Sequence, residues 1–263
     1  VRPYCDHPSL SDSPTPYQVM AHVFLLQDIL FVEAFSAGVW YVAIDFQLFA
    51  LAVLCAALAH RWQMWRGRGS VIRKALGMWS LLMLASFFIW NLNPLGEIWG
   101  TYFFCAYGLG LCVGCWRWTG FNINYRILAL LLLLLGTLAW LYQPRIRLVV
   151  AVTVAVLLAL YEATDCRPIP WLQSAWVQAL SNGSYAIFLI HFGVSLLVSA
   201  VVFTHWSENV PINAMGMITS FGLSLLLGAL LHTQVEKKPP TLMRLVQWVA
   251  TFIATCTAVM LLT

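Results

Sequence analysis

The sequence predicts an all-α, polytopic transmembrane helical bundle, and three observations carry that expectation. Hydrophobic residues make up 61% of the 263, charged residues only 9%, and the apolar residues fall in runs of membrane-crossing length. A soluble domain carries roughly 25% charge, and a span needs about 20 mostly apolar residues to cross a hydrocarbon core of about 30 Å. Eight runs qualify, within a few residues each: 38–59, 75–92, 98–116, 127–142, 147–162, 184–203, 212–232 and 245–263. The two short ones, 127–142 and 147–162, meet at Gln143-Pro144-Arg145-Ile146-Arg147. They read as a hairpin, because proline interrupts a helix.

Ahead of the spans, residues 21–36 are apolar but broken by His22, Gln27, Asp28 and Glu33, and too short to cross. They read as an interfacial or re-entrant segment; on a helix, Val23, Leu26, Leu30 and Phe31 would form one apolar face. The chain opens at Val1 with a polar, Pro-containing stretch to Tyr17 that lacks the build of a signal peptide, and it is expected to be cut from something longer. No internal repeat stands out, so residues 1–263 are expected to form a single domain, with 1–37 as an outer-face segment and 38–263 as the bundle.

The basic residues test this layout, because short cytoplasmic loops are enriched in Lys and Arg. Arg61, Arg66, Arg68, Arg73, Lys74, Arg117, Arg126, Arg167, Lys237, Lys238 and Arg244 fall on one side; only Arg2, Arg145 and Arg147 fall on the other. Residues 60–74, 117–126, 163–183 and 233–244 are therefore expected in the cytoplasm, with 1–37 and the C-terminus outside. The net charge of +4 follows from this topology and calls for no nucleic-acid partner. Of the seven cysteines, five lie in expected spans, where a free thiol behaves as a small hydrophobe. Cys112 and Cys115 have metal-ligand spacing but no companion pair or His cluster, so no metal site is expected.

Ionisable groups inside a span cost about 2.5–3.5 kcal/mol at its centre, so each asks for a reason. Asp45 sits about 10 Å below the outer end of its helix, with Trp40 or Tyr41 one turn above, Phe49 one turn below, and Gln47 on another face. It reads either as a functional carboxyl or as a structural hydrogen-bonding group, in both cases facing the bundle interior. His191 shares a helical stripe with Ser184 and Ile187 that begins at the cytoplasmic mouth, and a neutral imidazole suits acid–base work or contact with a polar ligand. The alternative is a satisfied core histidine. Asn182-Gly183-Ser184 matches a glycosylation sequon on the wrong side for use. His60, His205 and His232 sit at span ends, where capping is the default; Glu97, Glu162 and Glu208 are expected to be solvated, and Glu236 to pair with neighbouring lysines.

Three segments resemble one family. Trp40-Tyr41-Val42-Ala43-Ile44-Asp45-Phe46-Gln47-Leu48-Phe49, Ser184-Tyr185-Ala186-Ile187-Phe188-Leu189-Ile190-His191, and Val235-Glu236-Lys237-Lys238-Pro239 are similar, in order and spacing, to segments of the membrane acyltransferase 3 family. The resemblance runs from about Ala21 to Lys238. It implies a bundle of about ten spans in a bacterial inner membrane, transferring an acyl group, often acetyl from cytoplasmic acetyl-CoA, to a hydroxyl of a sugar, polysaccharide or lipid-linked acceptor. No bound cofactor is implied; acyl-CoA is the co-substrate and the bilayer a partner. Asp45 stands where the family usually has Glu, and the family's essential Arg and His belong to a first span that this sequence does not contain. The resemblance therefore implies missing N-terminal spans, a gap in their place, and no activity for these 263 residues alone.

Acyl transfer to an alcohol needs a base for the hydroxyl and donors for the oxyanion. On the resemblance, Asp45 and His191 are the catalytic candidates of this chain, Trp40, Gln47, Ser184, Tyr185 and Glu236 contact substrate, and Arg66, Arg68, Arg73 and Lys74 hold CoA phosphates. Two other classes stay open: a proton-coupled transporter, which also uses intramembrane Asp and His, and a catalytically inactive binding protein. The orientation has a direct check. Single cysteines introduced at positions 68 and 145 should label from opposite sides of the membrane, and labelling of both from one side would overturn the layout.

Overall fold

The computed structural model describes residues 14–35, 38–67, 69–121, 124–164, 170–206, 208–239 and 241–262. Every regular element among them is helical: α1 (Pro16–Val23), α2 (Val39–Arg66), α3 (Val71–Phe88), α4 (Gly100–Cys115), α5 (Tyr125–Tyr142), α6 (Ile146–Ala163), α7 (Ala175–Trp206), α8 (Val210–Leu231) and α9 (Leu242–Leu262). The protein is an all-α helical membrane bundle. Seven helices, all but α1 and α4, are long and apolar enough to cross a bilayer. The eighth expected span is α4, which has 16 residues, about 24 Å at 1.5 Å per residue, and lies within the core.

Several helices outrun the apolar runs that announce them. α2 extends to Arg66, α3 begins at Val71, and α7 begins at Ala175 rather than near 184. Hydropathy detects the part of a helix immersed in lipid, whereas hydrogen bonding carries the helix on into the headgroup layer. Arg61 and Arg66 thus lie on α2, Arg73 and Lys74 on the first turn of α3, and Ser184 and Tyr185 well inside α7.

Packing divides the chain into two compact units, residues 43–167 and residues 1–42 with 168–263. In the first, helices approach where glycine leaves room: a Cβ on Gly108 would lie 2.8 Å from Met83 Cβ, and one on Gly136 would lie 2.6 Å from Val152 Cγ1. Small residues serve this purpose in membranes, where lipid offers apolar surface no incentive to cluster. Polar clamps add direction. The Trp79 indole N–H donates to Ala52 O at 3.1 Å, tying α3 to α2.

The basic end of this unit is defined by Arg73, whose Nε donates to Thr119 O at 2.8 Å and so joins the start of α3 to the segment after α4. At the opposite end stand the two arginines that break the charge asymmetry, and the structure gives their reason. Arg145 donates to Phe87 O at 2.8 Å and to the carbonyl and side-chain oxygens of Asn91, covering carbonyls that the α3 terminus leaves without intrahelical partners. Arg147 donates to Glu97 Oε1 at 3.0 Å and to the Tyr102 hydroxyl at 2.5 Å. Glu97, expected to be solvated, is exposed and is the anion of this network.

In the other unit, α7 and α8 form a long hairpin, and α9 is largely exposed, with Cys256 its buried core residue. Residues 14–35 do not form one continuous helix. The helix starts at Pro16, behind a Thr15 capping box with Gln18, and stops at Val23; Leu25 and Phe31 then take left-handed conformations that a continuous helix excludes. The expected apolar exterior is nevertheless present. Gln18, His22 and Gln27 are buried while Phe24, Leu26, Leu30 and Phe31 face outward, Phe31 at 83% exposure. Polar inside and apolar outside inverts the order of a water-facing loop, and is the arrangement a lipid-contacting segment requires.

The buried polar groups fix the fold of this segment. His22 Nδ1 lies 2.8 Å from Gln18 O, which can only accept, so Nδ1 carries the proton; Nε2 then accepts from the Phe35 N–H at 3.1 Å, and the ring stacks on Phe35 at 4.0 Å. Burial pushes the His22 pKa down from 6.5 and that of Asp28 up from 3.8, so the segment favours both groups neutral. Protonating Nε2 removes the acceptor for Phe35. Because the folded value of His22 is depressed, its stabilisation is present above about 6.5 and lost as pH falls through the lower folded value. Thermal unfolding in detergent should show that loss, and His22→Gln should flatten it; a pH profile identical in the two proteins would contradict the assignment.

Candidate functional site

The α7–α8 hairpin brings the second and third sequence motifs together and encloses a groove. Its register follows from three contacts. A Cβ on Gly183 would meet His232 at 3.8 Å, a Cβ on Gly228 would lie 2.4 Å from Ile187 Cγ1 and 2.8 Å from its Cα, and Ser195 Oγ lies 2.9 Å from Ser220 Oγ. Four-residue steps along antiparallel helices then set His191 opposite Ser224. Near the far end the helices close again, where a Cβ on Gly216 would sit 2.9 Å from Val202 Cγ2.

Along the hairpin lies a groove of about 740 Å³, whose polar lining includes His191, Ser195, Ser199, Asn213, Ser220 and Ser224. The rest of the wall is apolar, including Ile187, Val198 and Phe221. His191 lies in the middle of a 32-residue helix, about 24 Å from either end. Its Nδ1 donates to Phe188 O at 2.6 Å, which leaves Nε2 of the neutral ring as the acceptor. The side chain is exposed at the groove rather than packed away, so the satisfied-core alternative does not describe it. The serines carry a signal of their own in the sequence: His191, Ser195 and Ser199 recur every four residues, as do Ser220 and Ser224.

An aromatic chain leads from the first motif to this site. Trp40 packs edge-on to Tyr41 at 6.1 Å, Tyr41 meets Phe188 at 5.0 Å, and Phe188 meets His191 at 5.6 Å. Ser184 donates to Ser181 O at 2.8 Å and, like Tyr185, is exposed on α7.

Glu236 does not pair with the lysines beside it. After α8 the chain widens into a π-turn over His232–Glu236, and His232 Nδ1 lies 2.5 Å from Glu236 Oε2, while Lys238 donates to Gln234 Oε1 at 2.6 Å. His232, read as a capping residue, is therefore the partner of Glu236, as the four-residue spacing permits. π-Turns of this kind occur often at functional sites.

Asp45 and Gln47 belong to the other unit. Asp45 is half-buried and acts electrostatically on Tyr107 of α4; among the described residues it forms no hydrogen bond. Gln47 holds the start of α4 with both ends of its amide: Oε1 accepts from the Gly100 N–H at 2.7 Å, and Nε2 donates to Ile98 O at 3.2 Å. A Cβ on Gly100 would lie 2.8 Å from Gln47 Cβ, so this clamp needs glycine there. The first N–H groups of a helix lack intrahelical acceptors, and Gln47 supplies one.

The basic candidates lie at the charged end of the same unit. Arg66 stacks over Trp62 and Trp65 at 5.9 and 5.5 Å, Lys74 donates to Gln63 Oε1 at 2.6 Å over the Trp62 ring, and Arg73 lies over Phe121 at 5.6 Å. Arg68 lies outside the described residues. Compared with family models, curated proteins and solved structures, the chain matches none.

The groove depends on how closely α7 and α8 approach, which Gly228 decides. Gly228→Ala should destabilise the protein by about 1–3 kcal/mol through forced repacking. Gly222→Ala, on the same helix with nothing within 4 Å of its Cβ, should be neutral or stabilising by up to about 1 kcal/mol. Thermal unfolding in detergent compares them, and equal effects would refute the packing.

Proposed function

We propose that the protein is a membrane O-acyltransferase, moving an acyl group, acetyl in the first instance, from acyl-CoA to a hydroxyl of a sugar, polysaccharide or lipid-linked acceptor in a bacterial inner membrane. The observation that carries this reading is His191: a mid-helix imidazole, its Nδ1 proton committed to Phe188 O, lining a serine-bearing groove. The resemblance of three segments to one family supports it, and two of those segments meet in the hairpin.

The chemistry is short. The acceptor hydroxyl lies in the groove among the serine hydroxyls and gives its proton to His191 Nε2, which takes the role that the family this chain resembles gives to a His of another span, as the hydroxyl oxygen attacks the thioester carbonyl. A carbon–oxygen bond forms, and the tetrahedral oxyanion is stabilised by hydrogen-bond donors. Collapse breaks the carbon–sulfur bond, and the proton on Nε2 passes to the leaving thiolate of CoA. Asp45, the acid of the first motif, is the chain's other catalytic candidate. Arg66, with Arg68 two positions on in the sequence, is the proposed source of charge for the phosphates of acyl-CoA.

The test is ester-linked acyl analysis of surface glycans and lipid-linked sugars, from cells with the native gene, without it, and with single substitutions. Deleting the gene should remove an acyl ester. His191→Gln should lower transfer at least about a hundredfold, the lower range for loss of a general base. Asp45→Asn should lower transfer more than it lowers protein abundance. An unchanged ester profile on deletion, or activity lost only in proportion to protein, would defeat the proposal.

A further inference from the structure

A second groove, of about 570 Å³, runs along the outside of the first unit, from the end of α2 down the first half of α3. Its lining changes character along its length. At the basic end stand Ser70, Arg73 and Lys74, with Trp62 beside them; one and two turns further into the span it is walled by Gly77 and Leu81. Ser70 to Leu81 covers about 16 Å along the helix. Gly77 has nothing within 4 Å of where a Cβ would stand, and Leu81 is 68% exposed, so the apolar part is an open track on the exposed side of α3.

The basic end has an excess of positive charge. No Asp or Glu occurs between Asp45 and Glu97, so neither the second half of α2 nor α3 supplies a counter-ion. The partners the cations do have are neutral: Lys74 holds Gln63 and the Trp62 face, and Arg73 uses Nε on Thr119 O and lies over Phe121. These contacts orient the two side chains without neutralising them. The Arg73 guanidinium and the Lys74 ammonium keep further N–H donors, and the Ser70 hydroxyl makes no capping hydrogen bond to α3.

We propose that this groove binds an anionic phospholipid, its phosphate held by Arg73, Lys74 and Ser70 and an acyl chain lying along Gly77 and Leu81. The polarity order selects the ligand. A soluble phosphate compound would use the charged end alone, whereas a phospholipid carries a phosphate and a chain at the spacing the groove offers. Trp62, at the basic end, carries the kind of ring that gathers at the headgroup layer. The site assigns Arg73 and Lys74 to lipid rather than to CoA phosphates, and it stands whether or not the protein transfers acyl groups.

Native mass spectrometry of the purified protein in detergent, with phosphatidylglycerol, phosphatidylcholine or CoA added as probe, tests this. Phosphatidylglycerol should be retained over phosphatidylcholine, and excess CoA should not displace it. Arg73→Gln and Lys74→Gln should each weaken retention about fivefold, the scale for one basic residue at an anionic membrane surface. Gly77→Leu fills the track without changing charge, and its Cβ would have no protein atom within 4 Å, so it should weaken retention while helicity by circular dichroism stays the same. That variant separates a built site from diffuse attraction of basic residues to anionic lipid. Retention unaffected by Gly77→Leu, equal retention of the two lipids, or displacement by CoA would each overturn the proposal.

Discussion

In a bilayer, an apolar helix gains nothing by leaving lipid for another apolar helix, so association rests on close backbone approach and on the few polar groups that must find partners. Both are visible in each unit of this chain. Gly108, Gly136, Gly216 and Gly228 stand where a side chain would collide with the facing helix. The polar clamps then set position along the axis, as with Gln47 at the start of α4 or Arg145 at the end of α3. The groove on α7 and α8 is a product of the same constraint. The helices touch at Gly228 and again at Gly216, and the small serines between leave a space.

Polar residues consequently divide by what they are already bound to. Gln47 spends both ends of its amide on α4, and Arg145 covers carbonyls, so both read as architecture. His191 has one nitrogen committed and lines a cavity, and Asp45 makes no hydrogen bond among the described residues. An intramembrane acid or base with capacity left over is where chemistry or ligand contact belongs, because a purely structural group would have used it. His232 and Glu236 form the opposite case, a matched pair at the π-turn, with the carboxylate orienting the imidazole.

Residues 14–35 follow the same rule on a smaller scale. With the bilayer as solvent, the sides of an amphipathic segment exchange roles, and a loop that would hide Phe31 in water hides Gln27 instead. One amide oxygen of Gln27 stays without a partner among the described residues while its NH₂ reaches Asp28, a cost borne by a segment whose groups are crowded into a small interior.

The sequence by itself determined the class of fold, the approximate place of each span, the end of the unit 43–167 that carries its basic residues, and Asp45 and His191 as the polar groups needing explanation. All of these are sums or exceptions along one dimension: hydropathy accumulates over a run of residues, and a charge in such a run is visible without knowing its neighbours. Three matters were settled only by tertiary structure: that Gln47 serves α4, that Glu236 pairs with His232 and not with lysine, and that Ser195 and Ser220 share a wall with His191. Helix ends also escaped, since lipid thickness limits an apolar run while backbone hydrogen bonding limits a helix. Pairing between helices depends on their register, and register is decided by which glycine meets which side chain. Gly228 and Ile187 are neighbours for a reason that neither residue's local sequence contains.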